Sequence, residues 1–211
     1  LLISATEDEK MPPDNALIRP YLDKKILKDG EPWAEGFANG LATSRLFCPV
    51  MSWWQKDGKN SGSVGGLANL DPAQGADWCD NVLLEYEFAL QIQQHHPTFL
   101  KIMPILMGPA DSRGYTEFPF HLIGSLPDQV SLKTKEQLLI HARKHGIPVS
   151  QKCLQRTIKE TVAELTSNQG KQMWLYGAVD LANTQVAHDI LDKAKEVMAE
   201  IEPRIIMLKG A

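Results

Sequence analysis

Short apolar runs alternate with helical patterns along this chain, and this alternation most limits the folds that it can adopt. Apolar runs of strand length are Leu1–Ser4, Ala16–Leu22, Leu46–Met51 and Phe99–Leu106. Helical patterns begin at Trp33 and Asp80 and cover Lys133–Lys144, Ser150–Ser167 and about Leu181–Ile201. Strands that alternate with helices pair in parallel and are covered on both faces. The sequence therefore predicts an α/β fold with a parallel sheet.

Composition and charge exclude several classes of function. The 211 residues carry a formal net charge of −4, so no basic surface of the kind that binds nucleic acid is expected. No apolar run is long enough to cross a bilayer. Cys48, Cys79 and Cys153 are widely spaced, which favours neither a disulfide framework nor a metal site. A reducing, cytoplasmic location is the simplest interpretation. The apolar start without Met predicts a fragment cut close to its first strand.

A glycine-rich segment, Trp53–Trp78, precedes the helix at Asp80. A loop of this length is usually functional or disordered, so a lid and a tolerated surface insertion both stay open. Its Gly62–Gly66 stretch lacks the Gly-Lys-Ser/Thr ending of a phosphate loop. His95 and His96 are adjacent and project to different sides of a helix end, which favours a capping or surface role over metal binding.

The stretch Asp80–Leu90 holds the residue most indicative of chemistry. With 100° per residue, Glu87 falls on one polar face together with Gln91 and Gln94. Glu85 lies on the opposite, apolar arc beside Val82, Phe88, Ala89 and Ile92. A carboxylate on an apolar arc loses hydration and needs a partner, a ligand or a raised pKa, unless it reaches water from the helix edge. Both interpretations of Glu85 follow from helical geometry.

Several pieces of the chain match one family in order. They are Leu22–Lys25, Leu27–Trp33, Gly36-Phe37, Gly40-Leu41, Ser44-Arg45, Pro49–Ser52, Asp80–Leu90, Ile102–Leu106 and Asn168–Gly170. Together they resemble a TIR (Toll/interleukin-1 receptor) domain of the kind found in large eukaryotic intracellular proteins. The resemblance covers roughly residues 1–174 and implies a TIR domain at 1–175 with a C-terminal helical extension at 176–211.

The resemblance implies a flavodoxin-like, three-layer fold with a parallel sheet of about five strands. Only Ala5–Asn15 lies between the first two strands here, so the first strand–helix region is expected to be shortened. Some family members signal in the cytoplasm by homotypic association with other TIR domains, as in innate immunity. Others cleave NAD⁺ when assembled, with NAD⁺ as substrate and without a cofactor or metal. The resemblance therefore implies one or the other of these two roles for this chain.

The family's functional residues map onto named positions. Glu85 matches the essential glutamate in the helix after the third strand. Trp33 matches the aromatic residue that lines the nicotinamide pocket. The remaining implied substrate-binding residues are Lys28, Asp29 and Gly30 in the loop after the second strand, Ser44 facing the cleft, and Ser4 and Ser52 at strand ends.

A single carboxylate suits this chemistry. Breaking the bond between ribose C1′ and nicotinamide gives C1′ oxocarbenium character, as in glycoside cleavage. The leaving group is already cationic and needs no general acid, so a carboxylate facing C1′ supplies the electrostatic stabilisation. Trp33 would stack on the nicotinamide ring. Two other interpretations remain: a TIR interaction module without activity, and, more remotely, a flavodoxin-like domain that binds another nucleotide.

Overall fold

The computed structural model describes residues 2–4, 19–21, 33–53, 66–67, 70, 79–111, 113–167, 173–175 and 184–199. Within these ranges the protein is a mixed α/β structure with short strands. The strands are β1 Leu2–Ser4, β2 Arg19–Tyr21, β3 Leu46–Phe47, β4 Val50–Ser52, β5 Lys101–Ile102, β6 Ile105–Met107, β7 Ala110–Asp111, β8 Gly114–Tyr115 and β9 Met173–Leu175. The helices are α1 Trp33–Thr43, α2 Asn81–His95, α3 Leu132–Lys144, α4 Gln151–Gln155, α5 Ile158–Thr166 and α6 Thr184–Ala199, with a 3-10 helix at Phe120–Ser125.

The strands form three hydrogen-bonded groups. One sheet has the order β2-β1-β3-β5, a second has the order β4-β6-β9, and β7 and β8 form an antiparallel pair. Strands β3 and β5 are parallel, as are β4 and β6, and β6 and β9. The prediction of parallel pairing is therefore confirmed for β3, β4, β5, β6 and β9 in these pairs.

Strand β1 departs from the predicted parallel arrangement. It pairs antiparallel with β2 on one side and with β3 on the other, with Leu2 opposite Tyr21 and Phe47. A parallel connection needs a crossover of a dozen or more residues, usually with a helix, whereas antiparallel neighbours do not. Residues 5–18, which include Pro12 and Pro13, are the whole connection between β1 and β2. These fourteen residues are long enough for a crossover, so the length of the connection does not set the direction of β1.

Prolines interrupt the two central strands that the apolar runs predicted as continuous. The run at Leu46–Met51 is divided into β3 and β4 at Cys48-Pro49, and the run at Phe99–Leu106 into β5 and β6 at Met103-Pro104. Proline has no N–H to donate to a ladder. Pairing nevertheless continues across both breaks, because Met103 N–H donates to Phe47 O at 2.8 Å and Ile105 N–H donates to Pro49 O at 2.9 Å. Burial on both faces was wrong for Val50, which is 52% exposed.

Most predicted helices have their expected positions. Asp80 caps α2, because its carboxylate accepts from Leu83 N–H at 2.9 Å. The single helix predicted at Ser150–Ser167 is wrong, since α4 ends at Gln155 and α5 begins at Ile158. Thr157 and Glu160 form a reciprocal capping box there, which starts a new helix. The described helices include none with the length and apolar character needed to cross a membrane.

The core lies between the central strands and helices α1 and α2. Phe47 of β3 contacts Phe37 of α1 and Tyr86 of α2, with ring centroids 6.4 Å apart in both pairs. Trp53, which follows β4, is buried against Phe118 at a centroid distance of 6.2 Å. These contacts fix the position of α2 relative to the strands.

Gly108, directly after β6, has no room for a side chain. A Cβ there would lie 2.3 Å from the backbone oxygen of Glu117 and 2.4 Å from that of Thr116. We therefore expect Gly108→Ala to lower the free energy of unfolding by about 1–3 kcal/mol, as overpacking does. Gly124→Ala is the matched control, since a Cβ at Gly124 meets nothing within 4 Å. Urea denaturation of both variants checks this, and equal stabilities would contradict it.

Candidate functional site

The start of α2 is tied to α3. Asp80 N–H donates to Thr134 Oγ1 at 2.9 Å, and Ser131 Oγ lies 2.9 Å from the same hydroxyl. Burial raises the pKa of Asp80, opposed by the hydrogen bond that its carboxylate accepts from Leu83 N–H. The first turn of α2 is therefore held from both its own helix and its neighbour.

Glu85 lies in the second turn of α2 and is half-buried. Its neighbour Tyr86 is buried in the core, and burial first, then the negative charges of Glu85 and Asp80, raise the pKa of the Tyr86 hydroxyl. The Glu85 carboxylate therefore lies close enough to this hydroxyl to act on it electrostatically. Part of the Glu85 surface is open to solvent.

Two residues of the face that the sequence assigned to polar side chains are buried in the structure. Glu87 is 3% exposed and Gln91 is fully buried. The prediction of an apolar arc beside Glu85 is confirmed for Phe88, Ala89 and Ile92, which are at most 1% exposed, and burial extends to the Glu87 side as well. Helices α4 and α5 supply side chains that cover the Glu87 side.

The Glu87 carboxylate is fully engaged by three groups. Thr161 of α5 donates its hydroxyl to Oε1. Arg156 Nη1 lies 3.3 Å from Oε2, and the Cys153 thiol donates to the same oxygen at 3.4 Å. Arg156 is itself buried, and its Nη2 pairs with Glu164 at 3.0 Å. This buried cluster of Glu87, Cys153, Arg156 and Thr161 joins α2 to α4 and α5.

Electrostatics indicate a structural role for this cluster. Burial raises the pKa of Glu87, while the Thr161 hydroxyl, the positive charge of Arg156 and the Cys153 thiol lower it. Burial, with the adjacent Glu87 charge, raises the pKa of the Cys153 thiol to about 12. A thiol with so high a pKa is not a nucleophile near neutral pH. Neither group is therefore available for reaction with a substrate.

The other predicted site residues are placed in different parts of the structure. Ser44 is fully buried, and its hydroxyl donates to Gly40 O at 2.6 Å. Ser52 ends β4 and is half-buried. Ser4 ends β1, whose antiparallel register puts it at the amino end of β3, so Ser4 and Ser52 lie at opposite ends of the strands. The shared strand edge predicted for these two serines is wrong.

Four of the predicted site residues lie wholly or partly outside the described residues. Trp33 begins α1, and its side chain lies outside the described residues. Lys28, Asp29 and Gly30 also lie outside them. Substrate binding by Trp33, Ser44 and this loop stays a prediction.

Sequence reasoning missed the Glu87 cluster. One signal was present, because Thr157-Ile-Lys-Glu160 has the Ser/Thr-x-x-Glu pattern of a helix start. That pattern would have ended the preceding helix at Arg156 and brought a cation to the helix junction. Nothing local to α2 reveals that α4 and α5 contact Glu87, since the partners are 66–74 positions away.

A second buried polar group lies in α3. His141 is 6% exposed, and neither ring nitrogen has a hydrogen-bond partner among the described residues. Burial lowers the pKa of His141, the charges of His145 and Lys144 lower it further, and Glu35 opposes them. The folded state therefore favours the neutral ring, and this contribution to stability is present above the unfolded pKa near 6.5. It is lost as the pH falls through the lower, folded-state pKa.

The pH dependence of stability tests this assignment. We expect the melting temperature of His141→Phe to depend less on pH than that of the parent between about pH 7.5 and 5. Asp80 and Glu87, whose raised pKa values act in the opposite direction, remain in both chains and cancel in the comparison. Thermal unfolding at several pH values measures the difference, and parallel curves would contradict the assignment.

The described residues contain no group of three or more His, Cys, Asp or Glu side chains arranged to hold a metal ion. Comparison with protein-family models, with curated proteins and with solved structures gives no match. The geometry therefore distinguishes two carboxylates of α2 by their burial, because Glu87 is buried and Glu85 is half-buried.

Proposed function

We propose that this chain is a TIR domain that cleaves NAD⁺ at the nicotinamide–ribose bond when it self-assembles, in intracellular signalling. One observation carries the proposal: α2 has two carboxylates two positions apart, and Glu87 is 3% exposed while Glu85 is half-buried. Glu85 is also the residue that the resemblance assigns to catalysis.

The strand order supports a flavodoxin-like sheet. If β3–β4 and β5–β6 are each taken as one strand, the order becomes β2, β1, β3–β4, β5–β6, β9, which is the flavodoxin-like order 2-1-3-4-5. The backbone hydrogen bonds from Met103 to Phe47 and from Ile105 to Pro49 support this grouping. We propose that the two sheets are one such sheet, with β1 reversed.

The position of α2 favours a ligand site near Glu85. Residues 96–100 join the end of α2 to the start of β5, so that end lies at the amino edge of the strands. A helix of 15 residues is about 22 Å long, and its start therefore lies toward the carboxyl edge. Open α/β sheets bind ligands at that edge. Glu85 is in the second turn of α2 and therefore also lies toward the carboxyl edge.

In the proposed reaction, the bond from C1′ to the pyridinium nitrogen breaks and both of its electrons leave with nicotinamide. The Glu85 carboxylate stabilises the oxocarbenium character at C1′. A water molecule adds to C1′ and releases a proton, which gives ADP-ribose. Trp33 stacks on the nicotinamide ring in this arrangement.

A second candidate function is a TIR interaction module without activity. The observation that favours it is an exposed apolar face on α3, formed by Leu132, Leu139 and Ile140. Homotypic contact through such a face needs no substrate pocket. The reversed β1, which separates Ser4 from Ser52, is in line with this alternative as well.

The test is nicotinamide release by the parent chain held at high density on a support, compared with the same amount dispersed in solution. The enzyme proposal expects release from the dense protein and much less from the dispersed protein. No release at either density would overturn the enzyme proposal and leave the interaction module.

A further inference from the structure

The outward face of α3 is unusually apolar for a charged helix. Thr134, Leu138, His141 and Ala142 are buried, and they occupy one side of the helix. The opposite side carries three large exposed hydrophobic side chains with an acid and a base: Leu132 at 67%, Leu139 at 38% and Ile140 at 54% exposed, with Glu136 and Arg143. Residues at these spacings lie along one stripe of a helix.

The charges on this stripe are arranged symmetrically about its apolar centre. Glu136 precedes Leu139 by three positions, and Arg143 follows Ile140 by three. In an antiparallel pair of identical helices centred between Leu139 and Ile140, Glu136 of each copy faces Arg143 of the other. Leu139 of each copy faces Ile140 of the other. This is the self-complementarity that an isologous two-fold contact requires.

We propose that the α3 stripe binds the α3 stripe of a second copy of this chain, antiparallel and about a two-fold axis. Glu136 can change partners, because its ion pair within the described residues is a long one, 3.6 Å, to Lys133 on the same helix. Such exposed pairs contribute little to stability. The inference deepens the self-association in the proposed function and rests on that part of it alone.

The contact is small. One face of a helix of 13 residues falls short of the roughly 1,000 Å² that a stable interface buries. We therefore expect weak, concentration-dependent pairing that contributes to assembly at high local density. Lys144, which pairs with Glu35 of α1, fixes the carboxyl end of α3 against the protein and leaves the stripe outward.

Charge reversal tests the pairing without NAD⁺. Glu136→Arg places like charges opposite each other in the homodimer, and so does Arg143→Glu, so each variant alone is expected to associate at least about tenfold more weakly than the parent. An equimolar mixture of the two variants places opposite charges at both ends of the contact. The mixture is therefore expected to regain parental association. Glu117→Arg, at an exposed position outside α3, is the control for net charge.

Sedimentation velocity over a concentration series measures the association, and thermal melting confirms that each variant is folded. The proposal is supported if the mixture associates like the parent while each single variant associates more weakly. A parent that stays monomeric up to about 1 mM, single variants that associate like the parent, or a mixture that fails to recover would each overturn it. None of these outcomes depends on nicotinamide release, so this test and the enzyme test fail independently.

Discussion

Glu85→Gln is expected to release nicotinamide at least about 100-fold more slowly than the parent chain, measured at equal density on the same support. A glutamine has nearly the shape of glutamate but lacks the negative charge that stabilises the transition state at C1′, and loss of one such electrostatic group costs about this much. Glu85 is half-buried rather than enclosed. The melting temperature of Glu85→Gln should therefore stay close to that of the parent.

Glu87→Gln is the matched control, because it makes the same chemical change two positions away on the same helix. It disturbs the buried contacts with Thr161 and Arg156, so it should lower the melting temperature. At a temperature where it is folded, it should still release nicotinamide. Loss of activity in Glu87→Gln together with full activity in Glu85→Gln would show that the wrong carboxylate has been assigned.

Arg156→Met is expected to lower the free energy of unfolding by about 3–5 kcal/mol, because it leaves the Glu87 carboxylate buried without its cation. Arg156 and Glu87 are 7% and 3% exposed, so water cannot replace the lost partner. Protonation of Glu87 removes the buried unpaired charge. The variant should therefore be relatively more stable at low pH, where Glu87 is protonated. Urea denaturation at two pH values measures both effects.

The double variant Glu87→Leu, Arg156→Met distinguishes the contribution of the ion pair to stability from the contribution of side-chain packing. Replacing both members of a buried ion pair by apolar residues is often nearly neutral, whereas removing one is costly. The double variant should therefore be more stable than Arg156→Met alone. If the two substitutions instead lower stability additively, the ion pair does not couple α2 to the junction between α4 and α5.

The order of strands and helices could be predicted from apolar periodicity, and the start of α2 from Asp80. Periodicity could not locate the breaks in the central strands, although Pro49 and Pro104 mark them in the sequence. Two backbone hydrogen bonds continue the pairing past both prolines, so the long apolar runs correctly predicted which segments pair with each other. The reversed direction of β1 could not be predicted from its apolar run, because such a run suits either direction of pairing.

The candidate site was only partly predictable for a physical reason. A helical wheel places Glu85 and Glu87 on different sides of α2, but it does not reveal which side other helices cover. That depends on Arg156 and Thr161, which the chain brings to Glu87 from α5 and the junction before it. Burial is therefore found on the Glu87 side as well as beside Glu85, and Glu87 is the more deeply buried of the two carboxylates.

The most direct measurement follows free nicotinamide by proton NMR, with the parent chain and Glu85→Gln held at the same density in the presence of NAD⁺. If Glu85 stabilises the transition state, we expect nicotinamide resonances that grow with time for the parent and stay near background for Glu85→Gln. Equal growth for both chains, or none for the parent, would contradict the assignment of Glu85 as the group that cleaves NAD⁺.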